Sequence, residues 1–381
     1  MAAGTEEGCL SVLLTVHHAL ERGTGAAGTT LALAAELQDR GHRVEVLGFD
    51  DLARRRGATI DAITFPHHVA RVVRGRLDRG DVDVVDASSG DLAYVAADRV
   101  RAASSAVFTR SHGLEHLASS RRRQAARAGE LDLRWRYSLY HGGIRLREVA
   151  RSFAVADAAL VLNDAEARFA ERSLGIAGER VWRTSPVLDD AVRRVPRAPT
   201  RDVVVLGAAS WRKGGDVAIR VLESLLRADP ALSVSWHGLE DPARVAALLA
   251  DDLRDRASLA GPYAREALAG LLAGHRVLLF ASRSEGLPVT LLEALRSGIA
   301  VVGSDVPGVR DLLGSGAGVV VPDGHAEGMA GAVRMLLADE RARSACEAHG
   351  AAVAATHAPK VVVDALVGAY RAVLEVKRAT R

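Results

Sequence analysis

The chain has 381 residues, 49% of them apolar, and a net charge of only +3, the makeup of a globular protein large enough for two cores. Aromatic residues at 4% are too few for a single-strand nucleic-acid platform, and so small a net charge gives no field for nucleic acid, so none is expected as a partner. Two cysteines, Cys9 and Cys346, exclude a disulfide framework and a Cys-x-x-Cys metal site. No uninterrupted apolar run approaches the roughly 18 residues of a membrane-spanning helix. Glu6 and Glu7 before a short, His-interrupted apolar run do not make a secretion signal. A reduced, cytoplasmic setting is the expectation.

In chain order, residues 10–16 read as a first strand, followed by a glycine-rich loop over 22–28, a helix over about 29–40 stopped by Gly41, and a strand over 43–48. Further strands are expected at 82–86, 106–109, 158–162 and 181–184, with helical stretches between them. The segment 195–200, Val-Pro-Arg-Ala-Pro-Thr, breaks the pattern and marks a boundary between a first domain, 1–195, and a second, 196–359. The alternation then restarts, with strands at 202–206, 232–237, 277–281, 299–303 and 318–321 and helices near 216–227 and 242–253. Residues from Lys360 onward read as a long terminal helix. Strand and helix alternating at this spacing predict α/β architecture, two doubly wound domains with ligand at the carboxyl ends of the strands and in a cleft between them.

The most informative stretch is 282–298. An apolar strand leads into Glu285-Gly-Leu-Pro-Val-Thr-Leu-Leu-Glu293, with Pro288 where a helix begins and Gly298 where it stops. Glu285 then lies on the loop and Glu293 about two turns into the helix. Such a strand–loop–helix points free backbone N–H groups and a positive dipole end at an anion. Carboxylates beside a phosphate site are poor phosphate ligands but good acceptors for sugar and ribose hydroxyls, so the local chemistry suggests a nucleotide-sugar. Upstream, Ser210-Trp-Arg-Lys-Gly-Gly-Asp216 follows the second domain's first strand and precedes a helix, placing Arg212 and Lys213 where they would grip a diphosphate. Lysine stands only at 213, 360 and 377 among 50 basic residues, so a lysine here speaks against a merely solvated turn.

Other motifs carry competing readings. Gly23-Thr-Gly-Ala-Ala-Gly28 matches Gly-x-Gly-x-x-Gly, with Asp50 downstream, but His17, His18 and several more residues separate it from the strand, unlike a dinucleotide fingerprint. A plain turn and a loop lining the cleft, through Gly23, Gly25 and Gly28, fit as well or better. His112-Gly-Leu-Glu-His116 has a zinc-protease spacing, yet it follows a strand directly and contains Gly113, so no metal is expected and His112 reads as a polar group at a strand's carboxyl end. Asp81-Val-Asp83 imitates a metal motif but stands at a strand's start and reads as solvated charge. The arginine-dense stretch 121–147, with Trp135, Tyr137 and Tyr140, fits a solvated helical pair, an anionic membrane surface or the grip on an acidic acceptor.

Taken together these residues resemble the GT4 family of retaining, GT-B fold glycosyltransferases, over nearly the whole chain. The most specific element is the Glu-x7-Glu pair, Glu285 and Glu293, followed by Gly298, Ser304-Asp305 and Pro307-Gly308; Trp211-Arg-Lys-Gly214 is similar to the family's basic diphosphate clamp. The resemblance implies that Glu285 accepts from donor-sugar hydroxyls, Glu293 holds the ribose, and Gly286, Leu287, Pro288, Val289 and Thr290 contact sugar and phosphate. It further implies that Lys213 and Arg212 stabilise the leaving diphosphate, that His112 lies near the transferred sugar, and that the glycine loop approaches diphosphate and acceptor. The terminal helix, 360–381, resembles the one that crosses back to the first domain. Two departures stand out: Ala208-Ala209 where the family has Gly-Arg, and Ser185-Pro186 where it has Asn-Gly.

The implied activity is metal-independent transfer, with retention, from a nucleotide-sugar such as a UDP- or GDP-sugar to a hydroxyl acceptor, without a further cofactor. The acceptor would be a small natural product, a saccharide or a lipid. The family's front-side route would give the acceptor proton to the leaving phosphate. A nucleotide-sugar epimerase and a non-catalytic nucleotide-sugar-binding subunit are the rival readings.

Overall fold

The computed structural model describes residues 8–21, 23, 25–188 and 195–380. Glu6, Glu7, Arg22, Thr24 and Arg381, on which sequence expectations touched, lie outside the described residues. The chain divides into two compact units: one runs to Leu188 and resumes at Ala358, and the other lies between.

Among the described residues the first unit has six parallel strands, β1 (Ser11–Thr15), β2 (Arg43–Leu47), β3 (Val84–Ser88), β4 (Ala106–Arg110), β5 (Ala158–Val161) and β6 (Val181–Arg183), in the order β2-β1-β3-β4-β5-β6. Its helices are α1 (Gly25–Asp39), α2 (Ala58–Arg79), α3 (Ala97–Ala102), α4 (Glu115–Arg127), α5 (Trp135–Leu139), α6 (Arg145–Val155) and α7 (Asp164–Leu174), with one π turn, Tyr140–Ile144, between α5 and α6. β3 and β4 are buried along their whole length, as parallel strands covered on both faces must be. Alternate residues of β1 feed opposite layers: Val12 and Leu14 pack with α1, and Leu13 packs with α2.

The second unit repeats the plan with β7 (Arg201–Leu206), β8 (Val234–His237), β9 (Ala257–Leu259), β10 (His275–Phe280), β11 (Ala300–Ser304) and β12 (Val319–Val321), ordered β12-β11-β10-β7-β8-β9. Its helices are α8 (Gly215–Ala228), α9 (Pro242–Ala246), α10 (Leu268–Ala273), α11 (Val289–Ser297), α12 (Pro307–Leu313), α13 (Ala326–Ala338) and α14 (Glu340–Thr356). In each sheet the direction of winding reverses once, between β1 and β3 in the first unit and between β7 and β10 in the second. Ligands of open parallel sheets bind outside the carboxyl ends at such switch points.

The last helix, α15 (Pro359–Ala379), belongs to the first unit. It lays Val363, Leu366, Val367, Tyr370 and Leu374 into the core formed by β1, β3, β4 and α1. Residues Glu340–Ala379 are long and apolar enough to cross a membrane by length and composition, the mean hydropathy of their most apolar 18-residue window being 1.2. They are instead two helices broken at Pro359, and α15 spends its apolar face on the core. Beneath it Tyr370 donates to Asp86, and Arg110 donates to the same carboxylate from Nε at 3.0 Å, all three side chains being buried. Burial opposes the charge on Arg110, yet Asp86 beside it holds the guanidinium charged more firmly than usual. The Tyr370 phenol is pushed up, by burial first and then by Asp86.

Two expectations need correction, and one strand is new. The helix expected from about residue 29 starts at Gly25, so Gly25 and Gly28 sit in its first turn, not in a loop; Thr29 and Thr30 donate back to the Gly25 and Ala26 carbonyls at 3.0 and 2.9 Å. The helix expected over 242–253 stops after Ala246, because the Ala250 N–H is drawn 2.7 Å to Glu223 of α8 and the chain tightens into a 3₁₀ turn at Asp251–Arg256. The short strand β9 after that turn was not expected.

Candidate functional site

In the second unit the loops after β7 and β10 meet at the switch point. Gly214 (φ +69°) is where they touch: a Cβ there would lie 1.9 Å from the Ala281 carbonyl oxygen, so only glycine allows the approach. The Arg283 N–H donates to the Arg212 carbonyl at 2.8 Å, and the buried Arg283 side chain pairs with Asp216 in the first turn of α8 at 2.7 Å while lying over the Trp211 ring. These contacts present Lys213 and Arg212 to Glu285. Lys213 Nζ donates to Glu285 Oε1 at 2.7 Å and Arg212 Nη1 to the same oxygen at 3.3 Å. Two cations and one carboxylate leave a net positive charge beside the amino ends of α8 and α11, the charge balance of an anion site.

Glu285, Gly286 and Leu287 form the loop ahead of α11; Pro288 is its N-cap, and Val289 and Thr290 open its first turn. Gly298 closes it at φ +73°. Gly308 abuts this loop: a Cβ on it would meet the Gly286 carbonyl at 1.8 Å, so α12 and the loop are locked together. Glu293 faces inward from α11, 3% exposed, and pairs with Arg265 at 2.6 Å. Arg265 and Arg283 are site residues that sequence reasoning missed. An ion pair across 28 or 67 positions leaves no local trace. The Tyr263 phenol is pushed up to about 12 by burial and then by the nearby Glu293 charge.

In the first unit the switch point carries a second polar cluster. His112 follows β4 on the loop before α4, and His116 is on α4 itself, so the two rings do not share a helix face. Burial, reinforced by Arg110, pushes the His112 imidazole down to about 4, which keeps it neutral. Nearby, His17 Nδ1 lies 2.7 Å from Asp91 Oδ1, and Thr15 donates to Asp91 Oδ2 at 2.6 Å. Arg145, 8% exposed, reaches Ser89 O and lies 3.3 Å from Glu115 and 3.6 Å from Glu148. His17 Nε2, His112 Nε2 and the Tyr140 hydroxyl are buried there without a hydrogen-bond partner among the described residues. Gly23 and Gly25 have open space where a Cβ would stand. The structure brings together Glu285, Lys213 and Arg212, and places His112 and the glycines in the other unit.

The remaining motifs take structural roles. Asp83 accepts the Ser11 N–H at 2.9 Å, tying the amino ends of β1 and β3, and Asp81 pairs with Arg79 at the end of α2 at 2.8 Å. Asp50 accepts the Leu20 N–H at 2.6 Å and pairs with Arg55 at 2.7 Å. The stretch 121–147 spans α4 to α6 and leaves Trp135 70% and Leu139 59% exposed.

Residues 200–339 match the family described as Glycosyl transferases group 1. This segment resembles a group 1 glycosyl transferase domain. It contains both the Arg212–Lys213 loop and the Glu285–Glu293 stretch. The chain is 28% identical over 233 residues to the alpha-D-kanosaminyltransferase of Streptomyces kanamyceticus, covering 57% of this chain and 60% of that protein. It is also 28% identical over 145 residues to the GDP-mannose:cellobiosyl-diphosphopolyprenol alpha-mannosyltransferase of Xanthomonas campestris, covering 37% and 38%. The matches thus span less than two thirds of these relatives. Among solved structures, sucrose-phosphate synthase from Thermosynechococcus elongatus superposes with a TM-score of 0.74 at 17% identity, over 96% of this chain and 99% of that one. The Anabaena HepE protein in complex with UDP-glucose gives 0.65 at 15% identity, over 97% and 100%. The chain therefore has a GT-B fold, and the segment 200–339 lies in its second unit.

Proposed function

We propose that the protein is a GT4-type glycosyltransferase that moves a sugar from a nucleotide-sugar, with retention and without a metal, to a hydroxyl acceptor. The observation that carries the reading is the convergence of Lys213 and Arg212 on Glu285 at the second unit's switch point, 2.7 and 3.3 Å away, inside a segment that resembles a group 1 glycosyl transferase domain. Breaking a glycosyl–phosphate bond develops positive charge on the sugar and negative charge on the diphosphate. Lys213 and Arg212, with the amides opening α11, would take the diphosphate charge that a metal supplies elsewhere. Glu285 would then turn from its ion pairs to sugar hydroxyls, and Glu293, oriented by Arg265, would hold the ribose. His112, kept neutral, would sit near the transferred sugar, and Gly23, Gly25 and Gly28 near the acceptor.

The experiment is a nucleotide-sugar panel (UDP-glucose, UDP-N-acetylglucosamine, GDP-mannose) scored first by thermal stabilisation and then by diphosphate release with and without saccharide acceptors. Transfer that survives EDTA and yields a product of unchanged anomeric configuration supports the reading. A donor epimerised with no acceptor present favours the epimerase, and binding without turnover the non-catalytic subunit. Cys9 and Cys346 are free thiols, which supports a cytoplasmic setting.

The exposed Trp135 and Leu139, with Arg134 and Arg136 beside them, favour a second element of the proposal, contact of this segment with an anionic membrane surface. Salt-sensitive co-sedimentation with phosphatidylglycerol vesicles, lost in Trp135→Ala/Arg136→Gln, supports it; equal binding to neutral vesicles contradicts it.

A further inference from the structure

The carboxylate of Glu285 rests on two cations. Its Oε1 receives Lys213 Nζ at 2.7 Å and Arg212 Nη1 at 3.3 Å, and 9% of the side chain is exposed. A carboxylate oxygen there stands where a phosphate oxygen would sit between the same two donors. The backbone that carries it is fixed, because Gly308 locks the loop at Gly286 and Pro288 sets the entry to α11. Freeing the cations therefore takes a turn of the Glu285 side chain rather than a movement of the loop.

The cations have other supports. Lys213 Nζ also lies 5.6 Å from the centre of the Phe280 ring at the end of β10. The Arg212 carbonyl receives the Arg283 N–H at 2.8 Å, and the Arg212 guanidinium reaches the Ser284 carbonyl at 3.4 Å. The nearby acid of α8, Asp216, is taken by Arg283 at 2.7 Å and by Arg220 at 3.3 Å. Glu285 is thus the acid that an incoming diphosphate must displace, and removing its charge leaves the loop standing.

We propose that Glu285 is a built-in competitor for the diphosphate, which makes the site discriminate between a nucleotide-sugar and the bare nucleoside diphosphate left after transfer. The inference rests on the transferase reading and concerns binding and release, not the bond-breaking step. Any diphosphate that reaches Lys213 and Arg212 must break both ion pairs. A nucleotide-sugar compensates, because its sugar hydroxyls donate to the displaced carboxylate. A nucleoside diphosphate brings no sugar hydroxyls and leaves that carboxylate largely buried, beside phosphate oxygens of the same sign. Discrimination then comes from a repulsive element as much as from an attractive one. Once the sugar has passed to the acceptor, Glu285 loses its hydroxyl partners, returns to the cations and weakens the hold on the spent nucleotide.

The test titrates UDP, GDP, UDP-glucose and GDP-mannose calorimetrically into the full chain, as wild type and as Glu285→Gln. The substitution keeps the shape of the side chain and removes its charge, and circular dichroism checks the fold. Glu285→Gln is expected to bind the bare diphosphate of the recognised pair about tenfold more tightly, while its nucleotide-sugar gains less than about threefold. Unchanged or weaker binding of UDP and GDP in Glu285→Gln overturns the inference, as does an equal gain for both members of the pair. A cycle with Lys213→Ala isolates the ion pair: the gain from Glu285→Gln is expected to shrink by roughly threefold or more when Lys213 is absent. A gain of full size in that background assigns the effect elsewhere and overturns the inference too. Wild type that binds none of the four compounds contradicts the transferase reading instead.

Discussion

The two units place polar clusters at the same topological position and fill them with opposite charge. At β7/β10 the second unit gathers Arg212 and Lys213 around one carboxylate, Glu285. At β1/β3 the first unit gathers Asp91, Glu115 and Glu148 around one buried arginine, Arg145, and leaves two ring nitrogens and a phenol without partners among the described residues. A parallel sheet supplies the platform in both, and the loops decide which charges it carries.

The comparison can be broken most directly at the cationic end. Lys213→Ala and Glu285→Ala are each expected to cut transfer by about 10²–10³-fold with unchanged circular dichroism, read as diphosphate release. Next in size, Arg110→Met strands the buried Asp86 without its cation and is expected to cost about 3–5 kcal/mol in urea unfolding, whereas Tyr370→Phe, which leaves the ion pair, costs about 1 kcal/mol. Gly214→Ala forces a Cβ onto the Ala281 carbonyl at a left-handed position and is expected to cost about 2 kcal/mol and weaken nucleotide-sugar binding with it. The smallest effect is a pH dependence. His112 titrates at 6.5 when unfolded and about 4 when folded, so the unfolded state binds more protons between those values. Stability from this ring is complete above 6.5 and declines as pH falls towards 4, and His112→Gln is expected to flatten that part of a melting-temperature profile.

The contrast also governs what the sequence discloses. The second unit's cluster comes from two short runs, 210–216 and 282–293, each contiguous and each bounded by a strand and a helix, so residue order alone placed Lys213, Glu285 and Glu293 on the right elements. Even there the partners Arg265 and Arg283 stayed hidden, because an arginine among so many carries no signal until its carboxylate is known. The first unit's cluster is assembled from residues 15–18, 88–91, 110–116 and 140–148, four separate segments that only the folded sheet brings together. Histidines 17 and 18 were read merely as spacers ahead of the glycines. The twofold winding was legible from strand–helix alternation, while β9 and the early start of α1 were not, since three residues make a weak strand pattern and glycines mask a helix start.

The assignment of donor binding to the second unit is tested most directly by calorimetric titration of one nucleotide-sugar, the best stabiliser in the panel, into wild type, Lys213→Ala and His17→Gln. The account predicts that Lys213→Ala loses at least tenfold in donor affinity, about 1.4 kcal/mol, while His17→Gln binds donor as wild type does. Donor affinity kept in Lys213→Ala and lost in His17→Gln would contradict it.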